Sequence, residues 1–179
     1  MEGLAELHTH LGGSVSSDIL WSLAHEQGIA LPVKDYWEFD RLVTIADPRG
    51  VPDLDALDAI YHWTELIQSS PLAVERSVHA AIGGAYRSQG ITTLELRFNP
   101  MKRNRGGERD LDHIIMASIR GLDRALLEYP VRSGLIFCLD RRSALPDARR
   151  AARDADRYSS LSVCASRRTR RRVSVTGLF

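Results

Sequence analysis

The sequence predicts an α/β protein built from successive parallel strand-helix units. Three observations carry that expectation. Segments of strand character, Leu4 to His10, Ile91 to Phe98 and Val131 to Leu139, alternate with stretches of helical period, the order expected of parallel βα units. The third segment is apolar almost without interruption, as expected when both faces of a parallel sheet are covered. The first ends in two imidazoles, His8 and His10, with Gly12 and Gly13 immediately beyond.

Taken in order, the Leu4 to His10 strand leads to Ser16 or Ser17 as the cap of a helix. Ile19, Leu20, Leu23 and Ala24 form its apolar face, and Gly28 stops it. Asp35 to Gly50 is aromatic at its start and ends in turn residues, so it reads as a short helix and a loop. Its aromatics are read as packing residues. Leu54 to Gln68 is helical in pattern. Ser70-Pro71 then gives an N-cap with proline at the first helical position for a helix to about Gln89, weakened at Gly83-Gly84 by roughly 1 kcal/mol per glycine and ended by Gly90. The strand Ile91 to Phe98 is closed by Asn99-Pro100, and a basic, glycine-containing loop follows from Lys102 to Arg109. Leu111, Ile114, Ile115, Ile119, Leu122, Ala125 and Leu126 trace one face of the next helix, which Tyr129-Pro130 ends. After the third strand, Ala144 to Arg157 begins another helix.

Beyond Tyr158 neither the 2.0 nor the 3.6 period continues, so a fourth strand is due but not expected there. Charge divides at the same place. Residues 1 to 140 hold 13 basic and 20 acidic side chains, or −7, whereas residues 141 to 179 hold 11 and 3, or +8, which yields the overall +1. Of the 24 basic residues 22 are arginine, the composition of GC-rich DNA, and the segment from Ser159 to Arg172 resembles such DNA read out of frame. Two units are therefore expected: a partial domain over 1–158, and an Arg/Ser-rich tail over 159–179 that is out of frame or disordered.

At 179 residues and 44% hydrophobic content the chain can bury a core of its own. It has no apolar run of eighteen residues and no basic segment leading into an apolar stretch at the N-terminus, so a soluble cytoplasmic protein with no membrane partner is expected. Cys138 and Cys164 are too few for a disulfide framework, and their spacing fits no zinc knuckle. Cys138 reads as a small core residue.

The chemistry lies in Glu6-Leu7-His8-Thr9-His10-Leu11-Gly12-Gly13-Ser14. Positions i and i+2 of a strand point to one face, and two neutral imidazoles there form half a site for zinc or a neighbouring divalent metal. His25, His62, His79 and His113 sit within helical patterns and are expected at the surface or in packing.

The nine-residue segment resembles the first-strand motif of the adenosine/AMP deaminase family, roughly E-L-H-x-H-L-[D/E]-G-[S/A]. The likeness continues through Asp18 to Ala24, Gly28 to Pro32 and Gly90 to Pro100, and covers about residues 4 to 157. It implies the N-terminal part of a (β/α)8 barrel, incomplete here, with about three βα units plus extra helices and an active site at the C-terminal ends of the strands. It also implies Zn2+ held by His8 and His10, substrate contact at His10 and Gly12, and hydrolytic deamination of a small purine nucleoside or nucleotide. The family's remaining parts are a third histidine and a catalytic glutamate in an H-A-G-E motif, a later histidine and an aspartate pair. This sequence has none of them, so no catalytic residue is assigned, zinc binding is expected to be weak, and the chain is expected to be inactive.

Gly12 departs from the family pattern. Its Asp or Glu helps to hold a nucleoside sugar, so glycine points away from simple adenosine and toward a phosphorylated or modified adenine nucleoside. Two other readings stand beside this one. A PHP-type metallophosphoesterase also begins with H-x-H but typically continues with a polar residue and Ser-Asp. A non-catalytic, basic-tailed nucleic-acid binder would rest on Arg167 to Arg172, without aromatic interleaving or a binding module, so specific nucleic-acid binding is not expected.

Overall fold

The computed structural model describes residues 3–47, 53–104, 111–139 and 161–165. Its elements run β1 Leu4–His10, α1 Ser17–Glu26, α2 Tyr36–Val43, α3 Leu54–Ile67, α4 Pro71–Gln89, β2 Ile91–Phe98, α5 Leu111–Glu128, β3 Arg132–Leu139 and β4 Leu161–Ala165, with a single 3-10 turn at Leu11–Gly13 after β1. The four strands form one sheet in the order β1-β2-β3-β4, and every neighbouring pair is parallel. The expected α/β architecture of parallel units is thus present, as an open sheet and not a closed barrel.

Local chemistry explains most boundaries. Asp35 and Asp53 cap α2 and α3 by accepting backbone N–H groups, Asp35 from Trp37 and Asp53 from Ala56, each at 2.9 Å. Ser70 Oγ accepts from Ala73 N at 3.2 Å, and Pro71 opens α4 where its missing N–H costs nothing. Gly90 ends α4 at φ +67°, a conformation that a side chain would strain. At α1 the N-cap position falls to Ser16, which makes no side-chain cap bond. Ser17 Oγ instead reaches across to Asp40 Oδ1 at 2.5 Å and Tyr36 Oη at 3.0 Å, tying the start of α1 to α2.

The core lies between the sheet and the helices. Along β2, Leu94, Leu96 and Phe98 are buried while Thr93, Glu95 and Arg97 are partly exposed, so one sheet face carries the apolar layer and the other is polar. Register places Leu96 beside Leu135 and Phe98 beside Phe137, and the two phenyl rings meet edge to face at 5.1 Å. The helices α4 and α5 meet where side chains are absent. A Cβ on Gly121 would lie 2.4 Å from the Glu75 carbonyl oxygen, and one on Gly83 would lie 2.7 Å from the Tyr129 ring. The glycine that weakens α4 by propensity is therefore the one that admits a neighbouring ring.

Two expectations are corrected. Leu126 does not share the buried face of α5; it is exposed, and Ala117, Ser118 and Gly121 occupy that face instead, because close helix packing favours small residues there. The expectation of no strand after Tyr158 also fails. Leu161–Ala165 adds to the edge of β3, from Leu135 beside Leu161 to Leu139 beside Ala165. Five residues are too short for a clear period, and the hydrogen-bonding edge of β3 supplies what their sequence does not advertise. The expected helix over 144–157, the loop over 105–109 and the arginine cluster lie outside the described residues.

Candidate metal centre at the end of the first strand

His8 and His10 stand where the strand gives way to the 3-10 turn. His10 is still extended, at φ −101° and ψ 130°, and the two ring centroids are 5.4 Å apart with planes inclined by 43°. Both residues reach solvent, and His10 is partly covered. Register explains how the pair is presented. Glu6 lies beside Leu94 and Thr9 beside Leu96, so three steps of β1 match two of β2, and the extra residue makes a bulge at Leu7-His8. Bulges re-aim side chains, and this one falls immediately before the histidine pair.

Three contacts hold the bulge. Glu6 Oε1 accepts from His8 N at 2.7 Å, Arg97 Nη2 donates to the Leu7 carbonyl at 3.1 Å, and Ser14 Oγ donates to the His10 carbonyl at 2.5 Å. Arg97 sits beside His10 in the register. Partial burial, then the neighbouring His8 and Arg97, hold the His10 imidazole below its ordinary pKa of 6.5. That favours the neutral ring at pH 7, the form that binds metal. Arg97 is the residue that sequence reasoning missed here. The only signal was a charged side chain near the end of an otherwise apolar strand.

Among the described residues no three His, Cys, Asp or Glu side chains cluster in a way that could hold a metal ion. The pair offers two imidazoles, fewer donors than such a group needs. The other histidines lie elsewhere: His25 Nδ1 contacts the Trp21 carbonyl at 2.8 Å, His79 Nε2 contacts Glu128 Oε2 at 2.7 Å, and His62 and His113 are exposed on α3 and α5.

Gly12 is buried, and its missing side chain points into packed structure. A Cβ would lie 3.2 Å from Arg103 Nη2 and 3.3 Å from the Tyr61 ring. Arg103 itself is 2% exposed. A cavity of about 580 Å³ opens beside this point, lined by Glu6, Thr9, Gly12, Tyr61, Thr64 and Leu94 among others, and neither His8 nor His10 lines it.

Comparison with known proteins gives the family and the fold. The sequence profile of the adenosine deaminase family matches residues 3–166. The chain belongs to the adenosine deaminase family. It is 30% identical to an adenosine deaminase of Shewanella denitrificans and 29% identical to one of Shewanella loihica, in each case over 140 residues that make up 77% of this chain and 41% of the relative. It therefore spans about two-fifths of the length of these relatives. Among solved structures it resembles an adenine deaminase from Arthrobacter aurescens, with TM-score 0.74 and 18% identity, covering 93% of this chain and 50% of that one. A Burkholderia ambifaria amidohydrolase with bound Zn superposes with TM-score 0.71 and 22% identity over 94% of this chain and 45% of that one. The fold matches about half of each of these solved structures, and membership of the adenosine deaminase family sets aside the metallophosphoesterase reading. No helix among the described residues is long and apolar enough to cross a membrane.

Proposed function

We propose that this chain is the N-terminal half of a zinc-dependent hydrolytic deaminase of adenine nucleosides or nucleotides, with His8 and His10 as two of its metal ligands. The observation that carries this reading is the imidazole pair, 5.4 Å apart at the C-terminal end of β1. Its donor chemistry fits zinc, since neutral imidazole is a preferred ligand. A catalytic site needs at least three protein ligands and an open position, so two histidines are necessary and insufficient.

Zinc held there would lower the pKa of a coordinated water towards about 7 and so make hydroxide available at neutral pH. The chain's own contributions are positional. β1 delivers the two imidazoles, the bulge aims them, and Arg97 and Ser14 fix the carbonyls of Leu7 and His10 on either side. Glycine leaves only main-chain contact with substrate at position 12, and a Cβ there would press against Tyr61 and Arg103. The lack of a carboxylate there favours a phosphorylated or otherwise modified adenine nucleoside over adenosine.

The sequence lacks the H-A-G-E glutamate that would pass protons to the ring and to the leaving ammonia, a role worth about 10² to 10⁴-fold. Purified chain with zinc should release no ammonia from adenosine, AMP or adenine above a metal-free control. Joined to the part of the Shewanella denitrificans enzyme that the match leaves uncovered, it should gain zinc-dependent deamination that His8→Ala or His10→Ala abolishes. Ammonia release by the chain alone, or activity of the chimera that survives both substitutions, contradicts the reading.

A further inference from the structure

We propose that Tyr61 is a specificity-determining residue of this site and that, with Arg103 beside it, it selects a substrate carrying an anionic group, phosphate or carboxylate, at the end that lies over Gly12. This rests on the deaminase reading for where the substrate lies and adds the group that reads its charge. Two side chains from distant segments converge on Gly12. The place a Cβ would take lies 3.3 Å from the Tyr61 ring and 3.2 Å from Arg103 Nη2, and the same place on Gly13 lies 3.3 Å from Tyr61 Oη. The tyrosine therefore spans both glycines of the turn that directly follows His10, with its hydroxyl beside the second.

Local structure explains the placement. Tyr61 and Thr64 stand one turn apart on α3, and both line the cavity beside Gly12. The segment after β2 grips the same helix. Asn99 Oδ1 accepts from Met101 N at 3.0 Å and turns the chain, after which Lys102 Nζ lies 3.8 Å from Glu65 Oε1 and Arg103 Nη1 donates to the Thr64 carbonyl at 3.5 Å. Arg103 is buried, so it acts as a positioning residue that holds α3 over the turn and brings a positive charge to it. Tyr61 is partly exposed, and among the described residues its hydroxyl makes no hydrogen bond, so it can meet a ligand directly.

The donors set the chemistry. A guanidinium donates and never accepts, and a phenol O–H donates to an ionised oxygen about twice as strongly as to a neutral one. Glycine at position 12 contributes no side-chain acceptor for a sugar hydroxyl. A neutral nucleoside thus gains little from this corner. A nucleotide or a carboxylated nucleoside sets acceptor oxygens against the phenol and negative charge near the guanidinium.

Equilibrium binding to the full 179-residue chain tests this without turnover. AMP or adenosine 5′-carboxylate should bind about tenfold more tightly than adenosine, and the tighter of the two names the anion. Tyr61→Phe keeps the ring against Gly12 and should lose about tenfold for the anionic ligand, with adenosine affinity and urea midpoint unchanged. Gly12→Asp sets a carboxylate between phenol and guanidinium and should erase the preference. Equal affinity for all three ligands, binding of none, or a preference that survives Tyr61→Phe would each overturn the proposal. UMP bound as tightly as AMP, with the same loss in Tyr61→Phe, would uphold the anion contact and contradict the deaminase reading instead.

Discussion

Arg97 links the strand pairing to the candidate metal centre. Its guanidinium donates to the carbonyl of Leu7 at the bulge, and a hydrogen bond involving a charged group contributes about 1.5–3 kcal/mol. Arg97→Met should therefore destabilise the fold by about that amount in urea and weaken zinc binding, while Arg97→Lys recovers part of both. Equal zinc affinity in all three proteins would show that the bulge does not depend on this contact. The histidine pair was legible in the sequence because alternate residues of a strand share a face, a rule that needs no partner. Arg97 was not, because its role is a bond to a backbone carbonyl that only an irregular register exposes. Gly12 was legible as a departure from the family pattern, but the Tyr61 and Arg103 contacts that surround it come from segments far along the chain. Gly12→Leu should cost about 1–3 kcal/mol by overpacking, read as a lower urea midpoint.

At the level of elements, adjacent glycines in α4 are expected to respond in opposite directions. Nothing lies within 4 Å of a Cβ on Gly84, so Gly84→Ala should stabilise by about 1 kcal/mol through helix propensity. Gly83→Ala gains the same propensity but drives a methyl to 2.7 Å from Tyr129, and overpacking of about 1–3 kcal/mol should win. Thermal melts of the two variants moving the same way would contradict the α4–α5 packing. The same interface carries a pH dependence. Hydrogen bonds from Arg124, then from His79, hold the Glu128 carboxyl below its ordinary 4.5. A depressed carboxylate contributes stability that is full above its ordinary value and lost as pH falls through the lowered one. Glu128→Gln should accordingly flatten the acid limb of the stability curve below about pH 4.5 and leave the neutral limb parallel to wild type. Helix starts and stops were the most legible part of the chain, since Ser70-Pro71, Gly28 and Gly90 act through their own backbone neighbours. β4 was not legible, because its order comes from β3 and not from the five residues themselves.

For the whole molecule, the last strand extends the parallel order of the sheet, with Cys138 beside Cys164 in the register of β3 and β4. We propose that any change of reading frame lies in the arginine-rich segment after β4, since the family match continues to residue 166. Translating the neighbouring frames of the gene for an H-A-G-E segment tests this. The architecture was legible at this scale from the alternation of strand and helix periods, which needs no knowledge of long-range contacts. The central claim is that β1 ends in a metal-ligand pair, and a zinc competition titration of the wild-type chain against His8→Ala, His10→Ala and His79→Ala tests it most directly. His8→Ala and His10→Ala should each weaken binding at least tenfold, about 1.4 kcal/mol, with His79→Ala unchanged; equal affinity across all four proteins would contradict it.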